Sequence, residues 1–333
     1  MDLPLIWIVI IAFVVLMYVI CDGFNLGVGI LFPWMHRDDR PLAMTTVSPV
    51  WDGNETWLVM GAAMLYGAFP IAYSTVLPAL YLPLILMVLA LIFRGISFEF
   101  LFKVEGHRKL WDVSFSAGSY MAVFCQGIVL GTIVQGPTDP GLVDFSKPFY
   151  WLSAFSIISG FGLMAGYAYL GSAWLIVKTE ARLQEWSYKA ASRLMFAFIA
   201  SIIIVSIWTP FVDPFVMKRW FGSTQIFLLL SIVPLITMIL FSCIFYELRR
   251  KKHERRPFLF GIGIFVLAFI GLGISSYPYI VPHVITFRQA ASNHMTLFAL
   301  FIATAIILPL ILFYFGYSYY VFRGKVKSAH ELH

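Results

Sequence analysis

A chain of 333 residues that is 60% hydrophobic, 17% aromatic and only 12% charged cannot hide its apolar surface in a water-bathed core, since soluble chains carry roughly 25% charged residues. The net charge of +6 comes from basic residues grouped between apolar runs, so it reads as membrane topology, and no nucleic-acid partner is expected. The cysteines, Cys21, Cys125 and Cys243, lie in apolar runs without metal-ligand or disulfide-motif spacing and read as small packing residues.

A spanning helix needs about 20 mostly apolar residues, because the hydrocarbon layer is roughly 30 Å thick and each residue rises 1.5 Å. The N-terminus, Met1-Asp2-Leu3-Pro4, has no basic region and no small-residue cleavage site follows, so the first apolar run is expected to remain as a helix. In chain order the runs lie near 5–31, 54–73, 78–96, 112–134, 149–177, 189–212, 223–246, 257–280 and 294–321. This predicts an all-α polytopic membrane protein with about nine transmembrane helices, forming one integral membrane domain over 1–333. The second and third runs are so close that a tight hairpin is expected at 74–78. The segment near 135–148, rich in Pro, Gly and Asp, is the longest external one and too short for a soluble domain. A weak echo joins Gly23-Phe24-Asn25-Leu26-Gly27 to Gly160-Phe161-Gly162-Leu163. It hints at two four-helix halves, 1–140 and 141–285, plus a last helix at 294–321, although the abundance of glycine in membrane helices explains it as well.

Orientation follows from lysine and arginine. Segments after odd-numbered helices hold 18: Arg37, Arg40, Arg94, Lys103, Arg108, Lys109, Lys178, Arg182, Lys189, the six between Arg249 and Arg256, Arg323, Lys325 and Lys327. Segments after even-numbered helices hold 4, Lys147, Lys218, Arg219 and Arg288, while Arg193 sits inside a span. The positive-inside rule then places the N-terminus outside and the C-terminus in the cytoplasm. The basic run at 249–256 reads as a stop signal that contacts headgroups.

Ionisable residues within spans are expensive and mark function by default. Asp22 lies about 17 residues into the first helix, roughly 25 Å from its outer end at 1.5 Å per residue. Asp52 opens the second helix, where it could act as an N-cap, and Glu55 follows in capping-box position. Arg94 closes the third helix, with Glu99 and Asp112 nearby in sequence; its ordinary role would be to snorkel to headgroups. Three segments thus bring Asp22, Asp52 and Arg94 to one depth, and an arginine between two carboxylates would hold them ionised. Such a cluster suits either proton uptake or a lock between helices. Of the seven histidines, His36, His107, His253, His330 and His333 fall in cytoplasmic segments, His283 in an external loop and His294 at the start of the last helix. None is expected mid-span opposite another, so no haem or metal site is expected in this chain.

Four stretches carry a resemblance: Asp22-Gly23-Phe24-Asn25-Leu26-Gly27-Val28-Gly29, Trp51-Asp52-Gly53-Asn54-Glu55-Thr56-Trp57-Leu58, Phe93-Arg94-Gly95-Ile96-Ser97-Phe98-Glu99-Phe100 and Tyr277-Pro278-Tyr279-Ile280-Val281-Pro282. With these the chain resembles, over essentially its whole length, subunit II of the cytochrome bd-type quinol oxidases, and looks closest to the cyanide-insensitive oxidase branch. The resemblance implies a subunit of the bacterial inner membrane, in a complex that oxidises quinol, reduces oxygen to water and draws protons from the cytoplasm, building a proton gradient. It implies that two b-type haems and one d-type haem sit in subunit I, and leaves room for a structural quinone, bound lipid and a small single-helix accessory subunit. It marks Asp52 and Glu55 as proton-transfer candidates, and Asp22, Asn25, Arg94, Glu99, Trp51 and Trp57 as residues of structure or haem retention. Many members carry Asp where this chain has Asn25, so a proton function resting on that carboxylate cannot operate here. Two other readings stand beside it: a proton-coupled secondary transporter, which would place its buried charges near the bilayer midplane, and a purely structural membrane subunit.

Overall fold

The computed structural model describes residues 1–100, 108–136 and 149–326. Lys103, His107, Lys147, Lys327, His330, His333 and nearly all of the expected external segment lie outside those residues. The described chain is a set of long helices with one small hairpin: α1 (Leu3–Leu31), α2 (Arg40–Thr45), α3 (Trp51–Ala68), α4 (Pro70–Ala79), α5 (Tyr81–Phe100), α6 (Arg108–Gln135), α7 (Ala154–Lys178), α8 (Ala181–Val212), α9 (Pro214–Phe221), α10 (Thr224–Arg250), α11 (Arg256–Ser276), β1 (Tyr279–Val281), β2 (Ile285–Thr286), α12 (Phe287–Ala290) and α13 (His294–Val321). Among the described residues, eight helices are long and apolar enough to cross a membrane, including α1, α5 to α8, α10, α11 and α13. The fold is therefore all-α and polytopic. α3 stands where the second span is expected but is not among the eight; its first turns carry Asp52, Asn54 and Glu55.

Two boundaries differ from expectation. No tight hairpin forms at 74–78, because those residues belong to α4. Phe69 breaks the helical path at φ −133° and ψ 62°, and Pro70 then starts a new helix at the position where a missing N–H costs nothing. The eighth run ends at Ser276, four residues early: Pro278 stops the helix, and 279–286 form the antiparallel β1–β2 hairpin.

α1 is the central helix and packs on α3, α6 and α7, while α7 in turn contacts α6, α8 and α11. The residues from Cys21 to Leu31 are buried without a break. Glycine makes this closeness possible where α1 crosses α7. A Cβ on Gly27 would stand 1.8 Å from the Tyr167 carbonyl oxygen, and one on Gly171 would stand 2.4 Å from the Gly27 backbone. Phe24 stacks on Trp174 at 4.2 Å beside this crossing. α5 packs on α6, and α10 packs on α8 and α11.

Candidate functional site: a buried ionic cluster

The site is built on the inner faces of α1, α3 and α5. Asp22 and Arg94 are both completely buried, and the Arg94 guanidinium donates to Asp22 Oδ1 at 3.0 Å and to Oδ2 at 3.5 Å. The Nη1 that makes the longer Asp22 bond also donates to Glu55 Oε1 at 2.6 Å, and the Glu55 side chain is 22% exposed. Asn25, one turn after Asp22, donates from its amide to Asp22 Oδ1 at 3.5 Å. Two ionic groups removed from water are tolerable only because each is paired and hydrogen-bonded.

The arginine thus does sit between two carboxylates, but the second is Glu55 and not Asp52. Helical geometry explains the correction. Asn54, Trp57 and Gly61 form the buried stripe of α3. At about 100° per residue Glu55 flanks that stripe, whereas Asp52 lies about 200° from Asn54 and is exposed. Asp52 is also not the cap. Val50 takes the N-cap position without a side-chain bond, Asp52 falls inside the first turn, and Glu55 is engaged by Arg94, so no capping box forms. The Asp52 charge still suits the positive end of the helix dipole.

The other expected residues surround this centre. Trp51 stacks on Phe98 at 4.9 Å and 9°, and the Arg94 guanidinium lies 5.7 Å from the Phe98 ring. Trp57 is buried, with its ring edge-on to those of Phe13 and Phe315. Glu99 is exposed on α5. Sequence reasoning missed Asn54, whose amide donates to the Cys21 carbonyl at 2.8 Å and whose Oδ1 accepts from the Tyr319 hydroxyl at 2.8 Å. This ties α13 to α3 and α1 at the level of Asp22. It also missed Gln126, which donates to the Tyr18 hydroxyl at 2.6 Å, one turn before Asp22. Both are uncharged amides in apolar surroundings, a signal available in the sequence.

Each described histidine is engaged by its own neighbourhood: His36 by Asp38, His253 by Glu247, His283 by Asp213, and His294 by the Phe298 ring. Among the described residues no three His, Cys, Asp or Glu side chains gather as a metal site. These residues do not fit a haem's axial pair.

An all-helical, multi-pass membrane subunit with a buried carboxylate–arginine–carboxylate cluster is what the fold and the site define. The sequence profile described as cytochrome bd terminal oxidase subunit II matches residues 3–322, so the chain belongs to that family. It is 23% identical to the cytochrome bd-I ubiquinol oxidase subunit 2 of Escherichia coli K12, covering 99% of this chain and 98% of that one. It is 27% identical to the cytochrome bd ubiquinol oxidase subunit 2 of Bacillus subtilis, over 98% and 97% of the two chains. The fold matches a chain of the bd oxidase from Geobacillus thermodenitrificans with a TM-score of 0.77 at 19% identity, covering 94% and 96% of the two. The chain is a multi-pass subunit of an oxidase of the bacterial inner membrane.

Proposed function

We propose that this chain acts beside a haem-bearing subunit I in oxidising quinol and reducing oxygen to water, and that it takes up cytoplasmic protons for that reaction. In this reading two b-type haems and one d-type haem belong to the partner, and quinol and oxygen are substrates of the complex. The observation that carries the proton role is the order of groups: exposed Asp52, part-buried Glu55 one turn later, then the buried Arg94–Asp22 pair. It forms a graded series of ionisable groups from surface to interior, with Asn25 supporting Asp22. Helices α1, α3, α5 and α6 are read as one four-helix bundle and α7, α8, α10 and α11 as the other, with α13 as the ninth span. Family membership favours this reading over a secondary transporter.

Asp52→Asn keeps shape and removes the titratable proton. Oxygen uptake by the complex is expected to fall roughly tenfold or more while the visible haem spectrum is unchanged. A normal rate with full haem would end the proton role and leave a purely structural subunit. Asp22→Leu and Arg94→Leu are expected to deplete haem from the complex, measured as haem absorbance per protein.

A further inference from the structure

One groove lies apart from the ionic cluster. It has a volume of about 510 Å3, lies on the surface between α10 and α11, and is walled by Met238, Ile239, Ser242, Cys243 and Phe260. Glu247, Tyr246 and Arg256 close one end. Met238 to Glu247 is nine residues, or about 14 Å at 1.5 Å per residue, close to half of a roughly 30 Å hydrocarbon layer. The groove therefore has the length of one leaflet, and its closed end is the end of α10 that carries Arg249 and Arg250.

Charge decides the occupant. Glu247 is neutralised where it stands: its Oε1 accepts from Arg256 at 2.6 Å and its Oε2 lies 3.2 Å from His253 Nδ1. Glu254 is taken by Lys325 at 2.8 Å. The remaining charged side chains of this segment are cationic. The Arg250 guanidinium lies 4.5 Å from the ring of Tyr246, which lines the groove, and Arg249 lies 4.2 Å from the ring of Phe245. Lys252 and Arg255 are exposed beside them. An apolar slot one leaflet long, with guanidiniums held over aromatic rings at its mouth, matches a ligand with a long acyl chain and an anionic head.

We propose that the α10–α11 groove binds one anionic phospholipid from the cytoplasmic leaflet, with an acyl chain along Met238 to Cys243 and its phosphate at Arg249 and Arg250. The site does not depend on the proton role, since it is read without turnover.

The test is native mass spectrometry of the intact complex in mild detergent, with added phosphatidylglycerol or phosphatidylcholine. The unaltered complex is expected to retain phosphatidylglycerol in preference. The exposed pair Arg249→Gln and Arg250→Gln should lower that retention roughly thirtyfold, given about 1 kcal/mol per basic residue at a membrane surface. Cys243→Trp, which fills the slot and leaves the charges, should reduce retention as well. Equal retention of the two lipids, or retention untouched by the arginine substitutions, overturns the proposal. So does a retained quinone that Cys243→Trp displaces while the phospholipid stays.

Discussion

Arg94 is the residue on which the buried cluster turns. It is the only partner that can balance Asp22 among the described contacts of that carboxylate, with Asn25 adding a weak 3.5 Å bond. Arg94→Met should destabilise the chain by about 3–5 kcal/mol, because a carboxylate is left buried without its counter-charge. Combining it with Asp22→Asn should restore much of the loss, because the charge is removed together with its partner. Glu55→Gln should be milder, about 1–3 kcal/mol, since Glu55 reaches solvent and only one charged hydrogen bond weakens. Thermal unfolding of the complex, followed by loss of haem absorbance, orders the three variants. If Arg94→Met matches Glu55→Gln, the buried pair is not what holds the site.

Among the elements, α1 and α7 are the pair that cannot be pushed apart. Gly27→Ala would place a methyl group 1.8 Å from the Tyr167 oxygen, a backbone atom that cannot rotate away. Overpacking usually costs about 1–3 kcal/mol, and a clash with backbone falls at the upper end. The matching control is Gly273→Ala on α11, where a Cβ would meet nothing within 4 Å. The yield of assembled complex should drop sharply for the first and hold or rise for the second. Equal yields would mean that the two helices are free to separate.

For the whole molecule, the decisive tie is the segment that follows α13. Lys178 Nζ donates to the Phe322 carbonyl and, at 3.2 Å, to that of Gly324; Val326 N donates back to the Lys178 carbonyl at 2.9 Å. Lys325 meets Glu254, which also accepts from Gln184 at 2.7 Å. The last helix is thereby strapped to α7, to α8 and to the α10–α11 loop. Partial burial alone would raise the Glu254 carboxyl, but the bonds from Lys325 and Gln184 and the nearby positive charges outweigh it and hold it below the usual glutamate range. A depressed carboxyl stabilises the folded form above its unfolded pKa, and this support is lost as pH falls through its lower folded value. Proteolytic release of the C-terminal segment should therefore accelerate below about pH 4, under the reference glutamate pKa of about 4.3. In Glu254→Gln the release should be fast at neutral pH and flat with pH. A pH dependence unchanged by that substitution would remove Glu254 from the strap.

The sequence by itself determined the solvent, the all-helical class and most of the spans. The expected last helix, 294–321, coincides with α13, and the first differs from α1 by two residues at its start. These properties are local, because twenty apolar residues in lipid must satisfy their own backbone hydrogen bonds wherever they lie. The sequence also marked Asp22, Asp52 and Arg94 as a cluster, since charge in apolar surroundings is visible residue by residue, but it offered Glu55 only as a capping residue and as a candidate by resemblance. Tertiary structure decided what met what. Glu55 faces Arg94 and Asp52 faces outward because α3 is rotated to bury Asn54, Trp57 and Gly61. That rotation is fixed by contacts with residues 30 or more positions away, such as the Asn54 bond to the Cys21 carbonyl. The junction at α4, the strap from α13 and the α10–α11 groove were equally out of reach, because each depends on how separate helices come to lie beside one another.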